Sequence, residues 1–307
     1  MLYYPFNRYL RDRFGEKVRR ISLNAGFPCP NDEGTRCIYC NEYAFSSFAG
    51  GAAPLKEQIE LSLQRAKIRS NVKKFIAYFQ NGTATNAAPE ELKAAYDTIR
   101  DHPEIVGLFI STRPDCVDGD KLDLIAGYLG DYDVWIEYGL QTIHGKSLEL
   151  IKRGHTWEQS RKAVMDTAAR GIKAGAHIIL GLPGETSRDM VQTAKSVSSL
   201  PVSGVKLHVL HVLKNTPLEK MYMSGEVKVL SRGEYIKAAC DFLENLREDC
   251  VILRLVSDAR SEYLVSPEWI NDKLSVINDI EKELSSRGTR QGCAAQGAGG
   301  AGGGERA

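Results

Sequence analysis

The run VWIEYGLQ, residues 134–141, is apolar, β-branched or aromatic over most of its length, yet it holds a carboxylate, Glu137, and ends on Gln141 before a helical pattern begins. Such a run reads as a strand, and the two-residue period of a strand sends Glu137 and Gln141 to the same face. Five further runs share its character: VRRISLN (18–24), KFIAYFQN (74–81), VGLFIST (106–112), KAGAHIILG (173–181) and VKLHVLHVL (205–213). Amphipathic helical patterns alternate with them at roughly 54–70, 89–101, 118–129, 144–171, 187–199 and 231–247. Strand followed by helix, repeated, predicts parallel strands joined by helical crossovers. Six units fall short of the eight of a full TIM barrel. The expected fold class is therefore α/β, a partial (β/α)6 TIM-like barrel, with an open doubly wound sheet as the alternative.

Residues 1–247 are expected to form this core and 248–291 a C-terminal extension, with DCVILRLVSD (249–258) as one more strand and NDKLSVINDIEKELSSRG (271–288) as a closing helix. The Gly/Ala-rich segment 292–307 has little to bury and is expected to be disordered. In either architecture chemistry belongs at the carboxyl ends of the strands. Polar residues gather there: a cysteine loop after the first strand, Gln80 and Thr83 to Thr85 after the second, Thr112-Arg113-Pro114-Asp115 after the third, Gln141 on the fourth, and Gly181-Leu182-Pro183-Gly184-Glu185 after the fifth.

A formal net charge of +1 gives no electrostatic argument for a polyanionic or membrane partner, although a local basic patch stays open. The first residues, MLYYPFNRYLRDRFGEKVRR, carry arginines where a secretory signal needs an unbroken apolar run. No stretch approaches 18 consecutive apolar residues, so a cytoplasmic chain without membrane spans is expected. Of seven cysteines, Cys116, Cys240, Cys250 and Cys293 are scattered, while Cys29, Cys37 and Cys40 cluster in CPNDEGTRCIYCN (29–41). In a reducing compartment such a cluster reads as a metal or catalytic site. The C-x2-C turn presents two sulfurs on one side, and Pro28 and Pro30 stiffen the backbone around the first thiol. A structural zinc site, in a non-enzymatic adaptor, needs a fourth ligand that no second C-x2-C or C-x2-H supplies. A redox dithiol at Cys37 and Cys40 leaves Cys29 unexplained. An iron–sulfur cluster held by three thiolates leaves one iron open to an exogenous ligand, which points to catalysis.

The stretches NAGFPCPNDEGTRCIYCN, AYFQNGTATNAAPEEL, GLFISTRPDC, WIEYGLQTIHGKSLELIKRGH, AHIILGLPGET, GVKLHVLHVLKNTPLEKMY and SSRGTRQG resemble the radical S-adenosylmethionine (SAM) superfamily. Within it they resemble a bacterial subgroup related to the Elongator-type (Elp3-like) and coproporphyrinogen-oxidase-type enzymes. One departure is the first gap of the motif. The superfamily's usual spacing is C-x3-C-x2-C and the subgroup's first gap is longer, whereas here it is seven residues, a shortened loop with its C-x2-C half intact.

The resemblance implies an enzyme in which Cys29, Cys37 and Cys40 ligate a [4Fe-4S] cluster. Its open iron binds the amino and carboxylate groups of SAM, which is cleaved reductively to a 5′-deoxyadenosyl radical that abstracts hydrogen from a substrate. It also implies an electron donor such as flavodoxin or ferredoxin, and a substrate that is either a small molecule or RNA. Gln80, Thr83 and Thr85 fall where the family binds the methionine amino group, the alternative for the threonines being caps of the next helix. Glu137 or Gln141 would contact the cofactor, the alternative for Glu137 being a buried ion pair with Arg113 or Lys206. Gly181, Gly184 and Glu185 correspond to the element beside the adenine. Arg113, Lys206 and His208 are the candidate catalytic groups, with Asp115, Arg153 and His155 in the remaining pocket wall. Strand register puts Lys206 and His208 on one face and turns His211 away, while Thr289 to Gly292 either closes the pocket or caps the last helix.

Overall fold

Runs buried on both faces become strands of a parallel sheet covered by other layers. All nine residues of the strand Asp133–Gln141 are buried, as are five of the six in Lys74–Phe79. In the computed structural model, which describes residues 1–32, 36–44, 53–69, 71–80 and 82–295, seven parallel strands form one curled half-barrel. Across the sheet they run β1 (Val18–Leu23), β2 (Lys74–Phe79), β3 (Ile105–Thr112), β4 (Asp133–Gln141), β5 (Lys173–Leu180), β6 (Val202–Val209) and β8 (Val251–Arg254). A short antiparallel pair, β7 (Val212–Leu213) with β9 (Leu264–Ser266), stands apart from it.

The outer face of the sheet is covered by α2 (Leu55–Arg69), α3 (Pro89–Asp97), α4 (Gly119–Ala126), α6 (Trp157–Ala169), α7 (Ser187–Ser198), α9 (Arg232–Glu244) and α10 (Lys273–Arg287). One core joins Leu92, Tyr96, Leu122, Val164 and Phe242 of the helices to Phe79, Leu108, Ile136 and Leu207 of the strands. Helix starts follow side-chain chemistry: Thr156 with Gln159 and Ser231 with Glu234 close reciprocal capping boxes at α6 and α9. The expected single helix over 144–171 is instead α5 (Gly145–Leu150) and α6. The break comes at Lys152 and Gly154, both with positive φ, before the Thr156 cap.

Two helices lie outside the sequence expectation, α1 (Phe6–Phe14) and α8 (Pro217–Met223). The first closes the amino-terminal end of the half-barrel. Phe6 and Leu10 are buried against Val18, Ile76, Phe109 and Trp135, and the Tyr9 ring meets Trp135 edge-on at 5.4 Å between centroids. The expected strand over 205–213 ends at Val209, and Val212–Leu213 pairs with β9. The strand expected at the start of the C-terminal extension is β8, which pairs with β6 and becomes the seventh strand of the half-barrel. Of the segment expected to be disordered, 292–295 form a turn anchored by Gly292 N to Leu243 O and Ala294 N to Glu244 O; the rest lies outside the described residues. No helix among the described residues is long and apolar enough to cross a membrane.

Candidate active site

The carboxyl ends of the strands surround a cavity of about 890 Å³, and all three clustered cysteines line it. Cys37 is buried, Cys29 half-buried and Cys40 exposed. The loop is fixed from several directions: Ile38 N donates to Ile151 O at 3.1 Å, Leu218 N to Ile38 O at 2.9 Å, and Cys40 N to Cys37 O at 3.0 Å. Asn31 Nδ2 donates to Lys152 O and Arg153 O and reaches Cys37 Sγ at 3.5 Å; Arg153 Nη1 approaches the same sulfur at 3.8 Å. Among the described residues no three His, Cys, Asp or Glu side chains stand together closely enough to hold a metal ion, so the loop is seen as a shared wall of thiols.

Gly82 lets the β2 loop pass against this wall. Its φ is +59°, and a Cβ there would lie 2.3 Å from Phe27 O and 3.8 Å from Cys29 N. Gly82→Ala is expected to cost about 1–3 kcal/mol through the strained backbone and the clash, and to reduce iron uptake by displacing Cys29. An unchanged denaturation midpoint with unchanged iron content would contradict this.

Three buried side-chain nitrogen or oxygen atoms among the described residues have no hydrogen-bond partner: Thr83 Oγ1, Arg113 Nη1 and His208 Nε2. All three residues line the cysteine cavity. A buried polar atom without a partner costs about 1–3 kcal/mol, so their gathering around one cavity marks a site shaped for a polar ligand. Arg113 is held by a two-pronged bond to Asp115, Nε to Oδ1 at 2.9 Å and Nη2 to Oδ2 at 2.7 Å, which leaves Nη1 over. A guanidinium, a hydroxyl and thiols on one wall, with Gln80 and Gln141 beside them, are chemically suited to an amino-acid carboxylate and ammonium next to a thiolate-held metal centre.

Deeper in the barrel, between this wall and the α1 plug, lies a polar layer centred on Glu137. Lys206 Nζ donates to Glu137 Oε2 and to the Tyr78 hydroxyl, both at 2.8 Å, while Tyr78 donates to the same carboxylate at 2.9 Å. His177 Nε2 is 2.6 Å from Glu137 Oε2, and Arg20 Nη1 is 3.4 Å from Oε1. Gly175 makes room, since a Cβ there would stand 3.1 Å from Glu137 Cγ. Burial alone would raise the Glu137 carboxyl, but Lys206, the His177 bond and Arg20 outweigh it and hold the group well below its ordinary value. Burial draws Lys206 down to about 7 against the pull of Glu137. The neighbouring His208 ring, 5.4 Å from His177, is also kept neutral, by burial first and then by His177, Arg254 and Lys206.

The expected site residues thus divide. Cys29, Cys37, Cys40, Gln80, Thr83, Arg113, Gln141, Lys206 and His208 share the cavity wall. Among its described lining residues Thr85, Glu137, Gly181, Gly184 and Glu185 do not appear. Thr85 Oγ1 bonds Thr112 Oγ1 and Cys116 O and caps nothing, the N-cap of α3 being Ala88. Glu137 takes Lys206 as its ion-pair partner, whereas Arg113 takes Asp115. Gly181 and Gly184 turn with φ of +82° and +83°, and Glu185 accepts from Thr142 Oγ1 at 2.7 Å, which ties the turn to the end of β4. Arg153 and His155 both bond Gly139 O. His211, expected to face away, lines the cavity because β6 has already ended at Val209; its Nε2 lies 3.1 Å from Ser257 Oγ. Residues 289–292 form a cap: Thr289 Oγ1 donates to Glu244, and Gln291 Nε2 to Arg247 O and Cys250 O.

Sequence reading missed Tyr78, His177, Arg20 and Arg254. A signal was available for Tyr78, which stands two residues before Gln80 on the same strand face, whereas the place of His177 beside Lys206 shows only in the strand register.

Burial also makes His155, His177 and His211 poor bases, each lowered from 6.5 to about 4. Because the unfolded chain takes up protons at these residues near 6.5 and the folded chain only near 4, stability is expected to fall as pH drops through that window. A melting temperature at pH 5 equal to that at pH 7.5 would contradict it.

Comparison with known families assigns residues 29–197 to the Radical SAM superfamily model and residues 202–286 to the Radical_SAM C-terminal domain. The chain is 40% identical to the Uncharacterized protein MJ0486 of Methanocaldococcus jannaschii, over 95% of this chain and 92% of that one. It is 36% identical to the Uncharacterized protein YtqA of Bacillus subtilis, over 94% and 92%. Among solved structures, Elp3 of Methanocaldococcus infernus superposes with a TM-score of 0.66 at 20% identity, covering 89% of this chain and 64% of that one, a likeness of fold. None of these comparisons supports a zinc-binding adaptor. Enzymes of the matched family use a [4Fe-4S] cluster and SAM, and the chain, an enzyme by that descent, belongs to the radical SAM superfamily.

Proposed function

We propose that Cys29, Cys37 and Cys40 hold a [4Fe-4S] cluster at the mouth of the half-barrel, and that the enzyme abstracts hydrogen from a substrate lodged between that loop and the Glu137–Lys206 layer. When bound, the cluster supplies the electron that cleaves SAM to methionine and the 5′-deoxyadenosyl radical. The observation that carries the reading is the wall itself, on which three thiols meet the unpartnered Thr83 Oγ1 and Arg113 Nη1. Arg113 would bind and orient the methionine carboxylate, with Asp115 fixing its plane; Thr83, Gln80 and Gln141 would serve the ammonium and the remaining polar groups. Lys206 would hold or release a proton at Nζ beside the substrate, tuned by burial against Glu137. The α1 plug covers the Phe109 and Trp135 side of the floor with apolar side chains.

An oxygen-sensitive cluster and free thiols suit the cytoplasm, with a flavodoxin or ferredoxin as electron donor. Anaerobic reconstitution with iron and sulfide, followed by reduction with dithionite, is expected to yield 5′-deoxyadenosine from SAM. Iron-loaded protein that forms none would overturn the reading.

A further inference from the structure

The half-barrel does not close between β1 and β8, and a second cavity of about 520 Å³ opens at that seam. Lys17, Arg19, Arg20 and Arg254 line it, and no carboxylate is among its described lining residues. It shares Tyr78, Gln80 and Arg254 with the cysteine cavity, so the two are neighbours through one polar partition. We propose that the seam binds an oxyanion group, phosphate or carboxylate, of a small-molecule substrate whose remaining part reaches past Arg254 and His208 into the cysteine cavity. This rests on the substrate region assigned above and names what would occupy it.

The charge balance of the partition supports an anion. One carboxylate, Glu137, faces two cations, Lys206 and Arg20, and shares a hydrogen bond with the His177 ring, which carries no charge near neutrality. Among the described residues the carboxylate paired with Arg254 is Asp258, at 3.6 Å, and Asp258 is also paired with Lys273. Arg20 spans the seam with two long bonds, to Glu137 Oε1 and to Leu253 O, each 3.4 Å. Its guanidinium rests 4.2 Å over the Phe6 ring, which sets its plane, and its side chain keeps 20% of its surface accessible. A strong acceptor between Arg20 and Arg254 would therefore take the place of long bonds without breaking short ones. Cations lining a concave wall attract anions more than the same cations on a flat surface, and these stay reachable, with 36% of the Arg254 side chain and 20% of the Arg20 side chain exposed.

Independent of charge, His208 Nε2 is buried with no partner on the cysteine-cavity side. A neutral imidazole there can exchange a hydrogen bond with a polar group of the same ligand. The occupant is small because Leu10 of α1 and Ile277 of α10 wall the seam, and because a net charge of +1 gives the chain no broad field for a long polyanion.

The test uses reconstituted full-length holoprotein and three probes sharing one ring: phenyl phosphate, benzoate and uncharged phenol, titrated by calorimetry. One of the two anions is expected to bind and phenol not to, the stronger anion identifying the group as phosphate or carboxylate. Arg254→Gln is expected to weaken that binding by about tenfold or more, and Arg254→Lys to restore most of it. Arg20→Gln should act in the same direction, with circular dichroism melting to confirm that it folds. Absence of binding by both anions at millimolar concentration, or equal affinity in Arg254→Gln, would overturn the proposal. So would a short single-stranded RNA binding through these arginines while neither small anion binds. SAM cleavage without substrate is measured in parallel on the wild type: its absence with anion binding intact defeats the proposed function alone, and the converse defeats the oxyanion site alone.

Discussion

Cys37→Ala is expected to reduce iron incorporation and reductive SAM cleavage to the level of unreconstituted protein. The sulfur it removes is the buried one of the three, 5% exposed, and two nitrogen donors reach it, Asn31 Nδ2 at 3.5 Å and Arg153 Nη1 at 3.8 Å. Arg153 is pinned by two bonds to Gly139 O at the end of β4, so the charge stays in place whether or not a ligand is bound. The loop itself should keep its shape in the variant, because Asn31 still donates to Lys152 O and Arg153 O and the Ile38 and Leu218 backbone bonds are untouched. Chemistry is lost and fold retained. Cys240→Ala is the matched control, since that thiol is packed between α9 and α10 and donates to Ile280 O, away from the cavity. Visible absorption, iron content and 5′-deoxyadenosine are the readouts. A Cys37→Ala protein that still acquires a cluster would sink the ligand assignment.

The strands were legible because a parallel strand covered on both faces leaves an almost continuous apolar run, as β2 and β4 do. The plug helix α1 was not, since only Phe6 and Leu10 are buried, with Asn7, Arg8 and Tyr9 between them and three charged residues, Arg11, Asp12 and Arg13, after them. Its packing partners, Phe109 and Trp135, stand more than ninety residues away in the chain, and no local pattern announces them. The site shows the same division. Cysteines, Arg113 and Gln141 could be found because they stand at strand ends, where a parallel α/β fold puts its chemistry. Tyr78, His177 and Arg20 sit mid-strand, where each passes for an ordinary β residue. Only lateral register, His177 beside Lys206 and Glu137 beside Gly175, reveals that they make one layer with Glu137.

That layer sets the second large effect. Glu137→Gln is expected to destabilise the protein by about 3–5 kcal/mol at pH 7, the usual cost of leaving buried charges without their counter-ion. Glutamine keeps the volume, so packing against the Gly175 gap changes little and the loss is electrostatic. Lys206, already drawn to about 7 by burial, can relieve itself by shedding its proton. Arg20, over the Phe6 ring, would lose its counter-charge and keep neutral acceptors, the Leu253 carbonyl and the glutamine amide oxygen. The pH dependence gives the sign. Because the folded-state value of Glu137 lies well below the ordinary 4.5, its contribution is present above 4.5 and is lost as pH falls toward that lower value. The gap between wild type and variant should therefore be widest near neutrality and narrow below 4.5, as urea denaturation at pH 7 and pH 4 would measure. Wild type and Glu137→Gln agreeing within about 0.5 kcal/mol at pH 7 would mean that the carboxylate does not hold the layer together. Its ordering of Lys206 and Tyr78, and with it the proton assigned to Nζ, would then have to come from a bound ligand instead.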